Sequence, residues 1–297
     1  VKNLELETLK NLKSSKATNT LRAYKADFRD FALFCQRNGL NSMPSEPKII
    51  TLYLTHLSKS SKFSTLKRRL ASISVIHKLN GHYLDTKHPI ITENLLGIRR
   101  VKGTYQKAKK PILINELKLI IDAINQDKSS KNKLKNKALL LVGFAGGFRR
   151  SELVSVTHED VEFVSEGVKI FVRRSKTDQS GEGMTKGIPY FSNPKYCPVT
   201  SLKNLIEEKK IKSGRIFDMS DKNVSLIIKK YTALAGLDQS KYSGHSLRSG
   251  FATSTAELGA EERSIMAMTG HKTTQMVRRY IKEANLFKNN ALNKIKI

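Results

Sequence analysis

Apolar residues in the first hundred positions recur at helical spacing. In "TNTLRAYKADFRDFALFCQRNG", Leu21, Tyr24, Phe28 and Phe31 fall three or four apart after a Thr/Asn start, and Gly39 closes the run. This pattern predicts an amphipathic helix. "KIITLYLTHLSK" supplies a second apolar face just after Pro47, a residue suited to a first helical turn. A third helix is predicted from Ser64, with Leu66, Leu70, Ile73 and Ile76 on one side and Lys67, Arg68 and Arg69 near its start. A short fourth, over 91–99, ends in "IRRVKG". Together these predict a small helical bundle with basic edges.

The pattern then breaks. "RRVKGTYQKAKKP", 99–111, has almost no apolar content and dense positive charge, which reads as an exposed linker ending at Pro111. The expected division is a helical domain over 1–100, a basic linker over 101–111 and a second domain over 112–297. In that domain "NELKLIIDAI" and "KNKALLLVGFAGG" read as helices, the latter apolar enough to be buried. The period changes in "VEFVSEGVKIFVRRSK", 161–176, where two β-rich runs flank a hairpin signal, and "GIPYF", 187–191, fits a third strand. Helical spacing returns over 200–210, 221–235, 245–258, 261–268 and 273–283. The predicted class is mainly α with one small antiparallel sheet, an α+β domain behind a helical one.

Charge changes the picture. The 297 residues carry 54 Lys plus Arg against 26 Asp plus Glu, a formal +28. Self-repulsion on that scale is relieved by an anionic partner, and a phosphate backbone is the commonest one. The longest apolar run, "ALLLVGFAGGF", is too short to span a bilayer. "VKNLELETLKNLKSS" has no apolar core of a signal peptide. The expectation is a soluble, cytoplasmic, nucleoid-associated protein with no membrane partner. Cys35 and Cys197 stand far apart without CxxC spacing, which suggests neither a zinc site nor a disulfide framework.

Several polar stretches of the second domain are weak signals when taken singly. "GGFRRSELVSV" sets Arg149 after two glycines with Glu152 one helical turn on, a spacing shared by many surface ion pairs. "RRSKTDQSGEG" ends a strand in Lys176 and runs into a polar turn, where most lysines are only solvated. "HSLR" places His245 and Arg248 on one helical face, able to donate to the same phosphate oxygens. "GHKTTQMVRRYI" carries His271 after a glycine and Tyr280 nine residues later. Proximity to His245 alone would favour Tyr242 over Tyr280.

Their order is far more specific. GGFRRSEL, then SKTD after strands, then HSLR, then GHKTTQMVRRY resembles the tyrosine recombinase (phage integrase) family, and the likeness covers most of the chain. By matching position the resemblance implies that Arg149 and Arg248 are the two catalytic arginines and His245 the histidine of H-x-x-R. Lys176 is similar to the strand-end lysine, His271 to the residue that is His or Trp in relatives, and Tyr280 to the nucleophile. Glu152 resembles the supporting acidic residue.

The implied reaction explains these residue types. When a tyrosine oxygen attacks a DNA phosphodiester, negative charge gathers on the nonbridging oxygens, where two guanidiniums supply fixed, permanently charged donors. Histidines can donate further hydrogen bonds or help take the phenolic proton, and Lys176 would protonate the leaving 5′ oxygen. The product is a 3′-phosphotyrosyl link, reversible by another strand's 5′ hydroxyl, and no metal or nucleotide cofactor is expected. The resemblance also implies two domains closing on double-stranded DNA as a clamp, and a tetramer on two sites exchanging C-terminal helices. The tail residues Leu286, Phe287, Leu292 and Ile295 are the apolar groups available for that exchange. Lys67, Arg68, Arg69, Arg99, Arg100, Lys107, Lys109, Lys110 and Arg279 are candidate phosphate contacts. A type IB-like topoisomerase and a non-catalytic DNA-binding protein are the alternatives.

Overall fold

The computed structural model describes residues 18–104, 108–175, 178, 181–284 and 291–295, together with Leu4 and Glu7. The chain divides into two compact units, Val1–Lys107 and Ala108–Ile297. It is mainly helical with a small antiparallel three-stranded sheet.

In the first unit the described elements are α1 (Thr18–Arg37), α2 (Pro47–Ser58), α3 (Phe63–Leu79) and α4 (Pro89–Lys102). Their inner faces share a core of Phe31, Cys35, Ile50, Tyr53, Leu54, Leu66, Leu70, Ile73, Leu84 and Ile91. The buried stripe of α1 differs from the predicted one: Leu21 and Tyr24 are only half-buried, while Asp27 is buried in line with Phe31 and Cys35. A carboxylate there is tolerable because it is paired. Arg68 and Arg69 of α3 form ion pairs with it, Ser72 Oγ donates to it at 2.7 Å, and Arg69 also reaches Asp30 at 3.2 Å. These two arginines therefore join α3 to α1, whereas Lys67, Arg99 and Arg100 are exposed.

The fourth helix is longer than its apolar spacing predicts. It starts at Pro89, with His88 accepting the Ile90 amide, and runs through Arg99 and Arg100 to Lys102 before Gly103 at φ 68° ends it. Basic side chains in a last turn favour the helix C-terminus, so a charged run that reads as linker is helix up to residue 102. From the other side, Lys110 N–H donates to Lys241 O at 2.7 Å and Ile112 N–H to Ser246 O at 2.9 Å, which fastens 110–112 to the second unit. Lys109 and Lys110 are exposed, with ammonium groups on Ser240 O and Glu116. Lys107 lies outside the described residues.

The second unit contains α5 (Ile114–Gln126), α6 (Lys133–Ala145), α7 (Arg150–Ser155), β1 (Val161–Val164), β2 (Gly167–Val172), β3 (Met184–Pro189), α8 (Pro198–Glu208), α9 (Asp221–Leu234), α10 (Ser246–Glu257), α11 (Glu262–Thr269) and α12 (Thr274–Ala284). The apolar run predicted to be buried is α6, enclosed from Ala138 to Ala145 and packed by α5, α8 and α10. The strands pair in order β1–β2–β3, with Val164 opposite Gly167 and Val172 opposite Met184. β3 runs Met184–Pro189, so it begins three residues before the predicted "GIPYF" and stops before Tyr190 and Phe191.

α10 is small-residue-rich because it is surrounded. It packs on α6, α11 and α12, and at Gly250 an added Cβ would lie 1.9 Å from Ile112 O. Backbone stands there, not a flexible side chain, so Gly250→Ala must push the 110–112 segment away. The expected cost is about 1–3 kcal/mol, read as a lowered urea midpoint at unchanged m-value.

Candidate active site

Four segments of the second unit converge: the turn between α6 and α7, the start of α10, the end of α11, and the inner face of α12. Gly146 and Gly147 end α6, and Gly147 adopts φ 55° with Phe251 and Thr269 close above it. This left-handed residue turns the chain so that Arg149 opens α7. Glu152 reaches back to Arg149, accepting its backbone N–H at 2.9 Å with one oxygen and its guanidinium at 2.5 Å with the other. Arg149 also approaches Gly270 O at 3.5 Å. The adjacent Arg150 points elsewhere, onto Ser225 and Asp221 of α9. In "FRRSEL" the structure thus assigns the first arginine to this cluster.

Arg248 is 1% exposed, the largest of the fully buried side chains. Its guanidinium donates to Gly147 O at 2.8 Å and to His271 Nε2 at 3.1 Å. Among the described residues its hydrogen-bond partners are a carbonyl and an imidazole, not a carboxylate. Burial, followed by the Arg149 charge, lowers its pKa to about 10, so it remains a cation at neutral pH.

The bond from Arg248 determines the state of His271. An arginine only donates, so Nε2 must be a bare acceptor and Nδ1 carries the proton, directed at Thr269 Oγ1 2.7 Å away. Thr269 in turn donates to Ile265 O at 2.6 Å. Burial and then the Arg248 and Arg149 charges lower the His271 pKa to about 4, in accord with a neutral ring.

His245 caps α10 and keeps one side toward solvent. Its Nε2 lies 3.3 Å from the Tyr280 hydroxyl. Lost solvation on its inner side, then the charges of Arg248, Arg149 and Arg150, lowers its pKa below the usual histidine value. A neutral Nε2 is a competent acceptor for a phenolic proton. Tyr280 is buried on α12 with Val277, against Ala252, Ala256 and Ile265. Tyr242, the rival by sequence proximity, is buried in the main core of this unit and faces Lys110.

Six of the seven predicted groups therefore meet: Arg149, Glu152, His245, Arg248, His271 and Tyr280. The seventh, Lys176, lies outside the described residues, in the connection between β2 and β3. Arg279, next to Tyr280, is exposed. Sequence reasoning missed Lys186, which is fully buried and close enough to Glu152, Arg248 and Arg149 to feel their charges. Strand alternation was the available signal: Lys186 is in phase with Ile188, whose side chain faces the core.

The sequence profile described as "Phage integrase family" matches residues 112–286. The chain belongs to the phage integrase family of tyrosine recombinases. It is 41% identical over 277 residues to the "Integrase/recombinase xerD homolog" of Selenomonas ruminantium, a match covering 88% of this chain and 81% of that protein. It is 25% identical over 256 residues to the "Tyrosine recombinase XerA" of Pyrococcus horikoshii, covering 84% and 87%. Among solved structures, a lambda integrase(75-356) dimer bound to a COC′ core site matches with TM-score 0.61 at 20% identity, over 98% of both chains. The XerH site-specific recombinase in a post-cleavage complex with difH substrate matches with TM-score 0.62 at 15% identity, over 83% of this chain and 73% of that one. These likenesses carry the fold. The family carries the activity, site-specific DNA recombination by a tyrosine recombinase.

Proposed function

We propose that the cluster around Arg248 is the strand-transfer centre and that Tyr280 is its nucleophile. The observation that carries this reading is a buried guanidinium held by neutral acceptors beside a tyrosine hydroxyl that meets a neutral imidazole. Burying an arginine without a hydrogen-bonded anion is costly, and a scissile phosphate is the anion that offsets it. Tyr280 Oη attacks phosphorus, the bond to the 5′ oxygen breaks, and the phenolic proton passes to His245 Nε2. Charge growing on the nonbridging oxygens is met by Arg149 and Arg248. Lys176 returns a proton to the departing 5′ oxygen, which leaves a 3′-phosphotyrosyl link and a free 5′ hydroxyl. Attack by a second strand's 5′ hydroxyl reverses these transfers and joins new partners, and the chain's own side chains suffice for each step.

The two units close on duplex DNA as a clamp, with the first reading the flank of the site. A hollow of about 650 Å³ in that unit supports this role: Lys62, Lys67, Arg99 and Lys102 line it together with Ser60 and Ser64, a lining suited to phosphate. Four protomers assemble on two sites through their tails. Support comes from Leu292 and Ile295, which are 66% and 57% exposed, and from an apolar hollow of about 410 Å³ lined by Leu117, Phe144, Ile188, Phe251 and Leu258. Leu286 and Phe287 lie outside the described residues. With genomic or element DNA as substrate, the protein works at the nucleoid in the cytoplasm.

The test is a nicked suicide duplex bearing the native site, incubated with the protein without added metal. The expected result is a covalent complex on a denaturing gel, with the modified peptide containing Tyr280. Tight binding with no adduct would leave Arg149 and Arg248 as phosphate clamps of a binding protein.

A further inference from the structure

Lys186 is a buried cation for which the reaction above has no use. It lies on β3, is fully enclosed, and its ammonium donates to Gly146 O at 2.8 Å and to Met268 O. The Phe148 ring is 4.9 Å away. Both acceptors are carbonyls at helix C-termini: Gly146 caps α6, and Met268 belongs to the last turn of α11. Such carbonyls lack intrahelical donors and carry the negative end of the helix dipole, so a cation binds them better than a neutral donor does.

The two carbonyls stand immediately before the groups that hold phosphate. Gly146 leads into Gly147, whose own carbonyl positions Arg248, and then into Arg149. Met268 leads into Thr269 and His271, which fix the second prong of Arg248. We propose that Lys186 is a positioning residue that fastens the end of α6 to the end of α11 and so sets the spacing of Arg149, Arg248 and His271 around the phosphate. It also ties the third strand of the hairpin, whose preceding connection includes Lys176, to the same frame. This inference rests on those three residues being the phosphate-holding groups.

An ordinary structural lysine would lie with its ammonium in water. Enclosing one next to two arginines repels charge, and burial followed by those arginines lowers its pKa to about 8, with Glu152 opposing. The charged and titratable groups facing it are Arg149 and Glu152 from the α6–α7 region, Arg248 from α10 and His271 after α11. The ammonium is therefore charged below about pH 8 and neutral above it. A neutral amine can still donate, but to helix-end carbonyls it does so with about half the strength of a charged one.

Full-length wild type and Lys186→Met are compared on the nicked suicide duplex at subsaturating DNA, between pH 6.5 and 9.5, with site affinity and thermal midpoint measured in parallel. Misplacing a reacting geometry by an ångström costs roughly 10- to 100-fold, so Lys186→Met should lose that much in adduct rate while site affinity stays within about twofold. Wild type should lose rate as pH rises through about 8, and Lys186→Met should lack that limb because the titrating group is gone. A folded Lys186→Met protein with the wild-type rate, or with the same alkaline limb, would overturn the proposal. If that variant does not fold, Lys186→Gln takes its place: a wild-type adduct rate in it overturns the proposal, and a loss of roughly 10- to 100-fold at unchanged site affinity sustains it. Absence of adduct from wild type itself would instead count against the strand-transfer reading.

Discussion

Tyr280→Phe is expected to form no covalent adduct at any incubation time, while binding the site within about twofold of wild type, under about 0.5 kcal/mol. The substitution removes one oxygen and little else. The ring packs against Ala252, Ala256, Ile265 and Val277, and phenylalanine keeps those contacts. His245, which loses the hydroxyl, has an open side where water can replace it, so the change in stability should stay within about 1 kcal/mol. In the proposed site Arg149 and Arg248 supply the positive charge that holds the phosphate, so binding is expected not to depend on the hydroxyl. Tyr242→Phe is the matched control and should cleave at the wild-type rate, since Tyr242 is 2% exposed and faces Lys110. An adduct that persists in Tyr280→Phe and disappears in Tyr242→Phe would reverse the assignment made from the His245 contact.

Arg248→Lys keeps the charge and should still cost about 10²–10³-fold in single-turnover cleavage, roughly 3–4 kcal/mol. The guanidinium spans two partners at once, Gly147 O and His271 Nε2, and this fork fixes its plane before phosphate arrives. A lysine ammonium is a single point on a flexible stem and cannot hold both while presenting further donors to two phosphate oxygens. A buried lysine also loses its proton more readily than a guanidinium. His271 would lose the donor on its Nε2 and keep only the bond from Nδ1 to Thr269, so its ring would be held on one side alone. Site affinity measured by gel shift separates the effects, because weaker phosphate binding raises Kd whereas lost transition-state contact lowers the rate at saturation. A rate within about threefold of wild type, under about 0.7 kcal/mol, would show that charge alone suffices and that the fork geometry is dispensable.

Much of the architecture was legible because it follows from local periodicity. The apolar run of α6 and the helical spacing of α1, α8, α9, α11 and α12 predicted those elements within a few residues, and the switch to alternating residues marked the hairpin. Charge density marked a basic protein suited to a phosphate partner. The ordered motifs carried the family, and the profile match over 112–286 agrees. Local pattern failed where long-range pairing overrides it. Arg99 to Lys102 read as linker because charge hides a helix end, and no local pattern singled out Asp27, whose partners come from α3, or Lys186, which two helix ends enclose.

The sequence by itself determined which residues could do the chemistry, since donor type, charge and order are properties of the chain. Only the tertiary structure decided which of them meet. Tyr280 is 35 residues from His245 yet touches it, while Tyr242 is three away and faces elsewhere, because α12 packs across α10 and the main chain before α10 turns Tyr242 into the core. The tautomer of His271, the pairing of Arg149 rather than Arg150 with Glu152, and the enclosure of Lys186 were likewise decided by the fold. Each depends on a backbone carbonyl, a carboxylate or a desolvated space that another segment of the chain supplies, and such groups leave no periodic trace in the sequence.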